Sequence, residues 1–490
     1  MAAIGFQNFP INTNLAPGVY FDVDATNANA GTAPQRTLVI GQMLASVTAT
    51  AGVPFLVTSY AAARTAGGAG SMLSLMLQQY RKSDPTGEVW CLPVSDNGSG
   101  TNASIAVTIS GTSTAAGTLN LYVCGTNVQV GVASGATAAT VATATAAAIN
   151  ALIDLPVTAA ASTGTVTITA RHKGIVAGDI DARINFSGTP AGESTPAGLT
   201  VSVGSLSAGT GEPTLSFANL GDTVYDYIIT PYGDSTSLAA TTALLNDVSG
   251  RWSWQTKLYG HCFGAKKGTS SALTTFIASY NDQHLSLLGI NDTPVPVYLV
   301  AADYGAVCAN SLRVDPATPL QNVVMNIPAP PRASRFLLSE RNTLYGVGMG
   351  ATRANDAGQV ILDRSVTTYT TNAAGAKDTS YRDTETLATL QFCIRSLDSM
   401  LGTKFARKKL LADGTQVPGG SNFVTAQSVK AEIIAWYRAR ALEGVVQNPD
   451  TFARNVQAQN IGQGRVAVML PIDVANQLRV LGISVQFIKS

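Results

Sequence analysis

The chain has 490 residues, and its 31 Lys and Arg against 30 Asp and Glu leave a formal net charge of +1. That length exceeds one ordinary core and predicts two or three domains. The balanced charge excludes the basic footprint of a nucleic-acid binder, apart from a short cluster at Lys404, Arg407, Lys408 and Lys409.

Charged residues make up only 12% of the chain, against about 25% in typical soluble domains. Gly, Ala, Ser and Thr take their place. A hydrophobic content of 46% argues against disorder, and a poorly charged surface invites association with other chains. An ordinary Ala/Thr-rich protein is the plainer account of the same composition. The first residues carry neither a basic nor an apolar signal-peptide region. No uninterrupted run of 18 apolar residues spans a membrane. The five cysteines show no metal-ligand spacing and the three histidines lie far apart, so neither metal nor cofactor is expected.

Residues 1–36, punctuated by Pro10, Pro17 and Pro34, read as an arm whose one strand candidate holds Val19, Tyr20, Phe21 and Val23. The region 37–96 reads as strand, two helices and strand: an apolar run at 38–41, helices over 59–67 and 71–81, and a buried strand over 88–94. Met72, Leu75, Met76 and Gln79 share one face of the second helix. This order implies an α/β unit with a parallel strand pair.

The texture changes at 97–209, where charge nearly vanishes and Thr, Gly and Val dominate. Leu119, Leu121 and Val123, then Val128, Val130 and Val132, alternate as a hairpin with one buried face. A helix over 136–152 presents Val141, Thr145, Ala148 and Leu152, and further strands are expected at 165–170 and 180–186. This is a small β-rich domain inserted into a surface loop, expected to project outward on flexible Gly/Ser-rich boundaries.

The α/β pattern resumes over 210–364, with strands at 224–230, 258–263 and 285–290 and helices at 235–249, 269–280 and 297–313, and a final region begins after 360–363. Region 365–480 holds two long helices, 383–405 and 425–442. Leu387, Leu390, Ile394, Leu397 and Leu401 form an apolar stripe on the first. Strands close the chain at 465–470 and 483–488; the last lies in a terminal arm, 481–490, with Ile483, Val485 and Phe487 alternating. The fold class is therefore multidomain α/β and α+β: an α/β core, an inserted β-rich domain and extended terminal arms.

No motif assembles an active site. Gly346, Gly348 and Ala351 fit a loose dinucleotide fingerprint with Asp363 beyond, but 351–359 is too short and turn-rich for the helix that must face a pyrophosphate. Lys266, Lys267, Gly268 and Thr269 lack the ending of a phosphate loop and suit a strand-to-helix turn capped by Thr269. His261 stands at a strand end beside Cys262, where α/β enzymes keep active sites. Neighbours on a strand point to opposite faces, so the two cannot form a dyad. His172 reads as a loop residue and His284 as one preceding a strand. Asp303, Asp315, Asp356, Asp363 and Asp383 read as helix caps and turn residues.

A series of phrases resembles the tail sheath proteins of Mu-like phages along nearly the whole chain. They run from Ala16-Pro17-Gly18-Val19-Tyr20 and Gln35-Arg36-Thr37-Leu38 through Glu88-Val89-Trp90-Cys91, Leu155-Pro156-Val157 and Arg171-His172-Lys173-Gly174. They continue in Thr367-Thr368-Tyr369-Thr370-Thr371-Asn372, Asp378-Thr379-Ser380-Tyr381-Arg382-Asp383, Lys430-Ala431-Glu432 and Val485-Gln486-Phe487-Ile488.

The resemblance implies a structural virion protein without catalytic residues. It implies stacked six-subunit rings around a tail tube, with tube, baseplate and tail terminator proteins as partners, assembly in the host bacterial cytoplasm, and contraction that drives the tube through the host envelope. On that reading the arm residues link subunits. Lys404, Arg407, Lys408 and Lys409 are candidates to face the tube, or else form a solvated helix end. An odd count of cysteines invites an intersubunit disulfide: Cys124 shares the outward parity of Asn120 and Tyr122, Cys262 is ambiguous, and the alternative is five buried thiols. Two other classes stand beside this one: a baseplate or surface binding protein using the insertion, and an α/β enzyme with a site near His261 and Cys262.

Overall fold

The structure, a computed structural model, describes residues 35–45, 47–415 and 422–489. Contacts divide the chain into two compact units, one of Gln35–Phe392 with Asn476–Ser490 and one that contains Cys393–Ala475.

The larger unit is built on a nine-stranded sheet. Across it lie Val323–Val324, Val360–Arg364, Gly350–Ala354, Leu285–Ile290, His261–Lys267, Tyr227–Ile229, Arg36–Gln42, Glu88–Val94 and Phe55–Val57. Neighbours from Gly350–Ala354 to Glu88–Val94 are parallel, and the outer strands are antiparallel. Leu38, Val39 and Ile40 are all buried, as a parallel strand covered on both faces requires. Gly350–Ala354 and the helix Leu338–Gly346 were not legible, because turn-rich sequence hides them.

Helices settle directly onto this sheet where side chains are absent. A Cβ on Gly41 would stand 2.9 Å from the Leu73 Cα, so the helix Met72–Ser83 rides on the first strand. A Cβ on Gly305 would come within 2.4 Å of the Ile229 side chain, which seats the helix Val297–Val314 equally close. Ser59, Ser71 and Thr269 cap their helices by accepting the N–H of Ala62, Ser74 and Ala272.

The insertion has a core of its own. Leu199–Val203, Asn102–Gly111, Thr165–Lys173 and Val157–Ser162 form one antiparallel sheet; Thr126–Val132, Gly117–Val123 and Ala182–Ile184 form another. The hairpin turns on Cys124 and Gly125, at φ 49° and 81°, the left-handed pair a two-residue turn demands. The helix Ala138–Ala151 buries Val141, Ala142, Thr145, Ala146 and Ile149, whereas Leu152, past its end, is exposed. The expected face at Ala148 and Leu152 was displaced because an alanine-rich helix offers little contrast between sides.

The insertion is not flexibly hung. The chain enters and leaves through one bridge, Thr101 opposite Thr210, and several polar ties hold it to the core. Asp96 accepts from Gln42 (2.8 Å), the Lys173 N–H (3.0 Å) and His172 Nδ1 (2.8 Å). Burial works against this carboxylate, but the bonds from His172, Lys173 and Gln42 hold it below its ordinary range. His172 Nε2 in turn accepts the first helical N–H, that of Met72 (3.1 Å). Asp179 accepts the Val297 N–H (2.7 Å) and pairs with Lys267. Pro296 gives that helix no side-chain cap, so the insertion supplies it. Arg183 joins Asp181 to Asp292, and Arg64 pairs with Asp154. The expectation of flexible boundaries is thereby corrected, as is the reading of His172 as a loop residue, since it ends the strand Thr165–Lys173.

In the second unit the helix Ala426–Leu442 opens on a Thr425–Ser428 capping box. Tyr437 stacks on Phe452 at 3.7 Å, and its hydroxyl donates to Gln447 O. Gln457–Asn460 and Val466–Met469 form a hairpin. The unit boundary falls within the helix Thr384–Phe405. Its expected stripe is corrected: Leu387 and Leu397 are buried but Ile394 is exposed. The buried face instead carries Glu385, Thr389 and Gln391, and Gln391 donates to Asp226 at 2.8 Å; hydrogen bonds replace apolar packing there.

Asp179→Ala should lower the unfolding free energy by about 1–2 kcal/mol, the range of a lost helix cap. Asp179→Asn, which still accepts a hydrogen bond, should cost less. Urea denaturation followed by circular dichroism measures both, and equal stability of Asp179→Ala and the unaltered chain would contradict the interlock.

Candidate assembly surfaces

Beyond Ala475 the described chain forms no helix or strand. Leu478, Val480, Leu481, Ile483, Val485, Phe487 and Ile488 are all exposed, Phe487 to 86%. Hydrophobic residues of both parities face solvent together. The strand expected at 483–488 is not formed in the single chain: a strand needs a partner ladder, and among the described residues none pairs with it. Val19, Tyr20, Phe21 and Val23 lie outside the described residues.

The basic cluster is not one solvated helix end. Lys404, in the last helical turn, pairs with Glu432. Lys409 belongs to a short strand, Lys409–Leu410, parallel to Phe423–Val424, and its ammonium lies 5.4 Å above the Phe423 ring. Arg407 and Lys408 are exposed between them.

All five cysteines are free and buried. Cys124 is not on the outward face of its hairpin, as its parity suggested: it occupies the turn, where strand alternation has ended, and is 6% exposed. Burial pushes the Cys124 and Cys91 thiols up to about 12 and the Cys393 thiol to about 11. Cys262, fully buried, is also raised by burial. Thiols so placed are poor thiolates.

His261 Nε2 lies 2.8 Å from the Ser286 hydroxyl, a pair with the outline of a nucleophile and base. Ser286, however, is 0% exposed and continues a buried hydroxyl chain through Thr384 and Ser365 to Tyr304. Burial lowers His261 to about 3, aided by His284. The imidazole is a neutral member of the core with no path for a substrate. His284 bonds Asp247 (2.9 Å) and stacks on Trp252.

Gly346 ends a helix and Gly348, at φ 86°, turns into the strand Gly350–Ala354. That is helix-to-strand, the reverse of a dinucleotide site. Asp363 is taken by Arg341, Arg353 and Tyr345. Asp303 is no cap: buried within Val297–Val314, it accepts from Ser83 (2.6 Å) and the Asn326 N–H (2.7 Å).

A cavity of about 460 Å³ lies where the insertion meets the core, lined by Leu75, Gln79, Leu152, Ile153, Val295 and Leu299 among others. Its Gln79 donates to Asn326 O, and Lys82 bonds Gln79. Among the described residues no group of His, Cys, Asp or Glu has the makings of a metal site, and no helix is long and apolar enough to cross a membrane.

Residues 207–368 match the family described as the phage tail sheath protein central domain, and residues 376–488 the phage tail sheath C-terminal domain. The Mu-like prophage FluMu tail sheath protein of Haemophilus influenzae is 36% identical over 492 residues, covering 99% of this chain and 100% of that one. Among solved structures, a sheath tail protein from Desulfitobacterium hafniense is 12% identical at a TM-score of 0.48, covering 94% of this chain and 97% of the other. The helical sheath of the anti-feeding prophage in its contracted state is 13% identical at 0.47, covering 97% and 100%. The chain belongs to the phage tail sheath family. It is accordingly a structural tail protein and not an enzyme.

With its thiols buried, the native protein should react with a thiol reagent at none of its five cysteines within minutes, and at all five in denaturant. A non-reducing gel of polymer blocked before denaturation should show a monomer band; a ladder that collapses on reduction would contradict the burial of Cys124 and Cys262.

Proposed function

We propose that this chain polymerises as stacked hexameric rings around a tail tube and contracts to drive the tube through a host envelope. The observation that carries the reading is the exposed apolar segment Leu478–Ile488, for which no strand partner stands among the described residues. Strand addition to a neighbour's open edge satisfies such a segment's backbone and joins subunits through a hinge. Val19, Tyr20, Phe21 and Val23 at the other end of the chain do the same, so each subunit holds two others. Head-to-tail contacts of this kind build rings and helices rather than closed dimers.

The extended sheath is a metastable state whose energy resides in subunit contacts, with no nucleotide consumed. On contraction the folded units move as rigid bodies while the arms bend. The family relationship supports this reading, and the absence of an accessible catalytic site among the described residues is consistent with it. Tube protein, baseplate and terminator are the partners. The protein resides in the virion tail after assembly in the host cytoplasm. Arg407, Lys408 and Lys409, with Lys404, face the tube, where a screened ionic contact guides assembly and releases on sliding.

Purified protein should form long hollow cylinders in negative-stain electron microscopy. Deleting residues 481–490, or residues 1–25, should leave a folded chain that forms none; cylinders from either truncation would sink the role of that arm. Reversing Arg407, Lys408 and Lys409 to Glu should abolish co-sedimentation with tube while self-assembly persists. Lys404 is left in place to avoid setting a carboxylate against Glu432. Undiminished tube binding would remove the cluster from the interface.

A further inference from the structure

The exposed C-terminal segment has a definite root. Arg479, whose side chain is only 13% exposed, reaches Asp383 (3.0 Å) and Glu385 (2.8 Å) with one guanidinium nitrogen and Gln321 Oε1 (3.2 Å) with another. Gln321 reciprocates, donating from Nε2 to Leu478 O at 2.9 Å. Asp383 also holds Arg364, and Glu385 accepts the Leu320 N–H. The two carboxylates stand at the start of the helix Thr384–Phe405, where its dipole favours negative charge. Glu385 is fully buried. Burial pushes its carboxyl up while Arg479 pulls it down, so the cation is what makes this buried charge tolerable.

Past Arg479 the pattern stops. From Val480 to Lys489 no hydrogen bond or ion pair to the described residues is made, and every one of these residues is exposed. The boundary between held and unheld chain falls on one side chain.

We propose that Arg479 is the positioning residue of the C-terminal arm: its clamp on Asp383, Glu385 and Gln321 fixes where the arm leaves the larger unit and how far it reaches. This rests on the reading of the arm as a subunit linker. With the clamp closed, the nine residues from Val480 to Ile488 span at most about 30 Å when extended. Upstream, Gln477 has a contact of its own. An open clamp frees at least two more residues, Leu478 and Arg479, and adds about 7 Å of slack. A neighbour engaged through the longer tether is held at a poorly defined distance, and a lattice that must store energy in its subunit spacing loses that definition.

Trypsin tests the clamp in the full-length chain, since Arg479 is itself a cleavage site. Glu385→Gln removes the buried charge yet still accepts from Leu320, and should raise the rate of cleavage after Arg479 at least ten-fold with near-ultraviolet circular dichroism unchanged. Cleavage at the unaltered rate overturns the clamp. Gln321→Ala loosens the same site without leaving a buried ion unpaired, and gives the same readout should Glu385→Gln fail to fold. Arg479→Ala polymers should show irregular ring spacing in electron micrographs, and Arg479→Lys, which keeps the cation but not the fork, should restore part of the order. Faster cleavage together with regular spacing in Arg479→Ala overturns the positioning role. Cylinders formed by the 481–490 deletion overturn the linker reading alone, because the cleavage assay is made on unassembled protein and judges the clamp separately.

Discussion

The larger unit depends on one pairing, that of Arg36–Gln42 with Tyr227–Ile229, which places Thr37 opposite Tyr227. Every other parallel strand extends outward from these two. A pairing so distant in sequence carries a heavy loop-closure cost unless the intervening chain folds by itself and returns to its starting point. The insertion meets that condition. It has a separate core, and its two ends are bridged at Thr101 and Thr210. Glu212 then accepts the Val176 N–H just past the bridge (2.7 Å), and the chain re-enters the sheet at Tyr227. By lending His172 and Asp179 to the first turns of two core helices, the insertion becomes part of the framework it interrupts.

The sheet was legible where physics leaves a dense local signal. Glu88–Val94 and Leu285–Ile290 are short apolar runs, and their bounds could be read directly. Asn102–Gly111 alternates as cleanly, burying Ala103, Ile105, Val107 and Ile109, yet went unread because Ser and Thr blur the contrast with alanine. The C-terminal segment was legible as an apolar alternation, but its conformation was not, since none of the described residues pairs with it as a strand. The clamp at Arg479 was invisible because its partners, Gln321, Asp383 and Glu385, lie far upstream, and no spacing in sequence announces an ion pair of that range. Cys124 was misjudged for a smaller reason: parity holds along a strand and fails at the turn.

The low charge also finds its physical place. The charges that are present are largely spent on internal joints: Arg313 with Asp84, Arg364 with Asp383, Arg183 with Asp181 and Asp292. Pairs of this kind, half shielded from solvent, fix geometry more than they add stability. Little charge is left to keep neighbouring copies apart. A surface of Ala, Gly, Ser and Thr presents a small desolvation penalty, which suits the self-association of the proposed function.

That division of labour says where motion can occur. Local opening follows the density of buried contacts and internal hydrogen bonds. Both are high throughout the described sheet, in the insertion and across the polar ties that join the two. Both vanish after Arg479. Under the proposed contraction, a large rearrangement is taken up where the resistance is least, in a segment of about 30 Å that makes no hydrogen bond to the described residues. On the proposed function, the energy released is that of contacts between subunits, with the folded units as the rigid parts against which those contacts act.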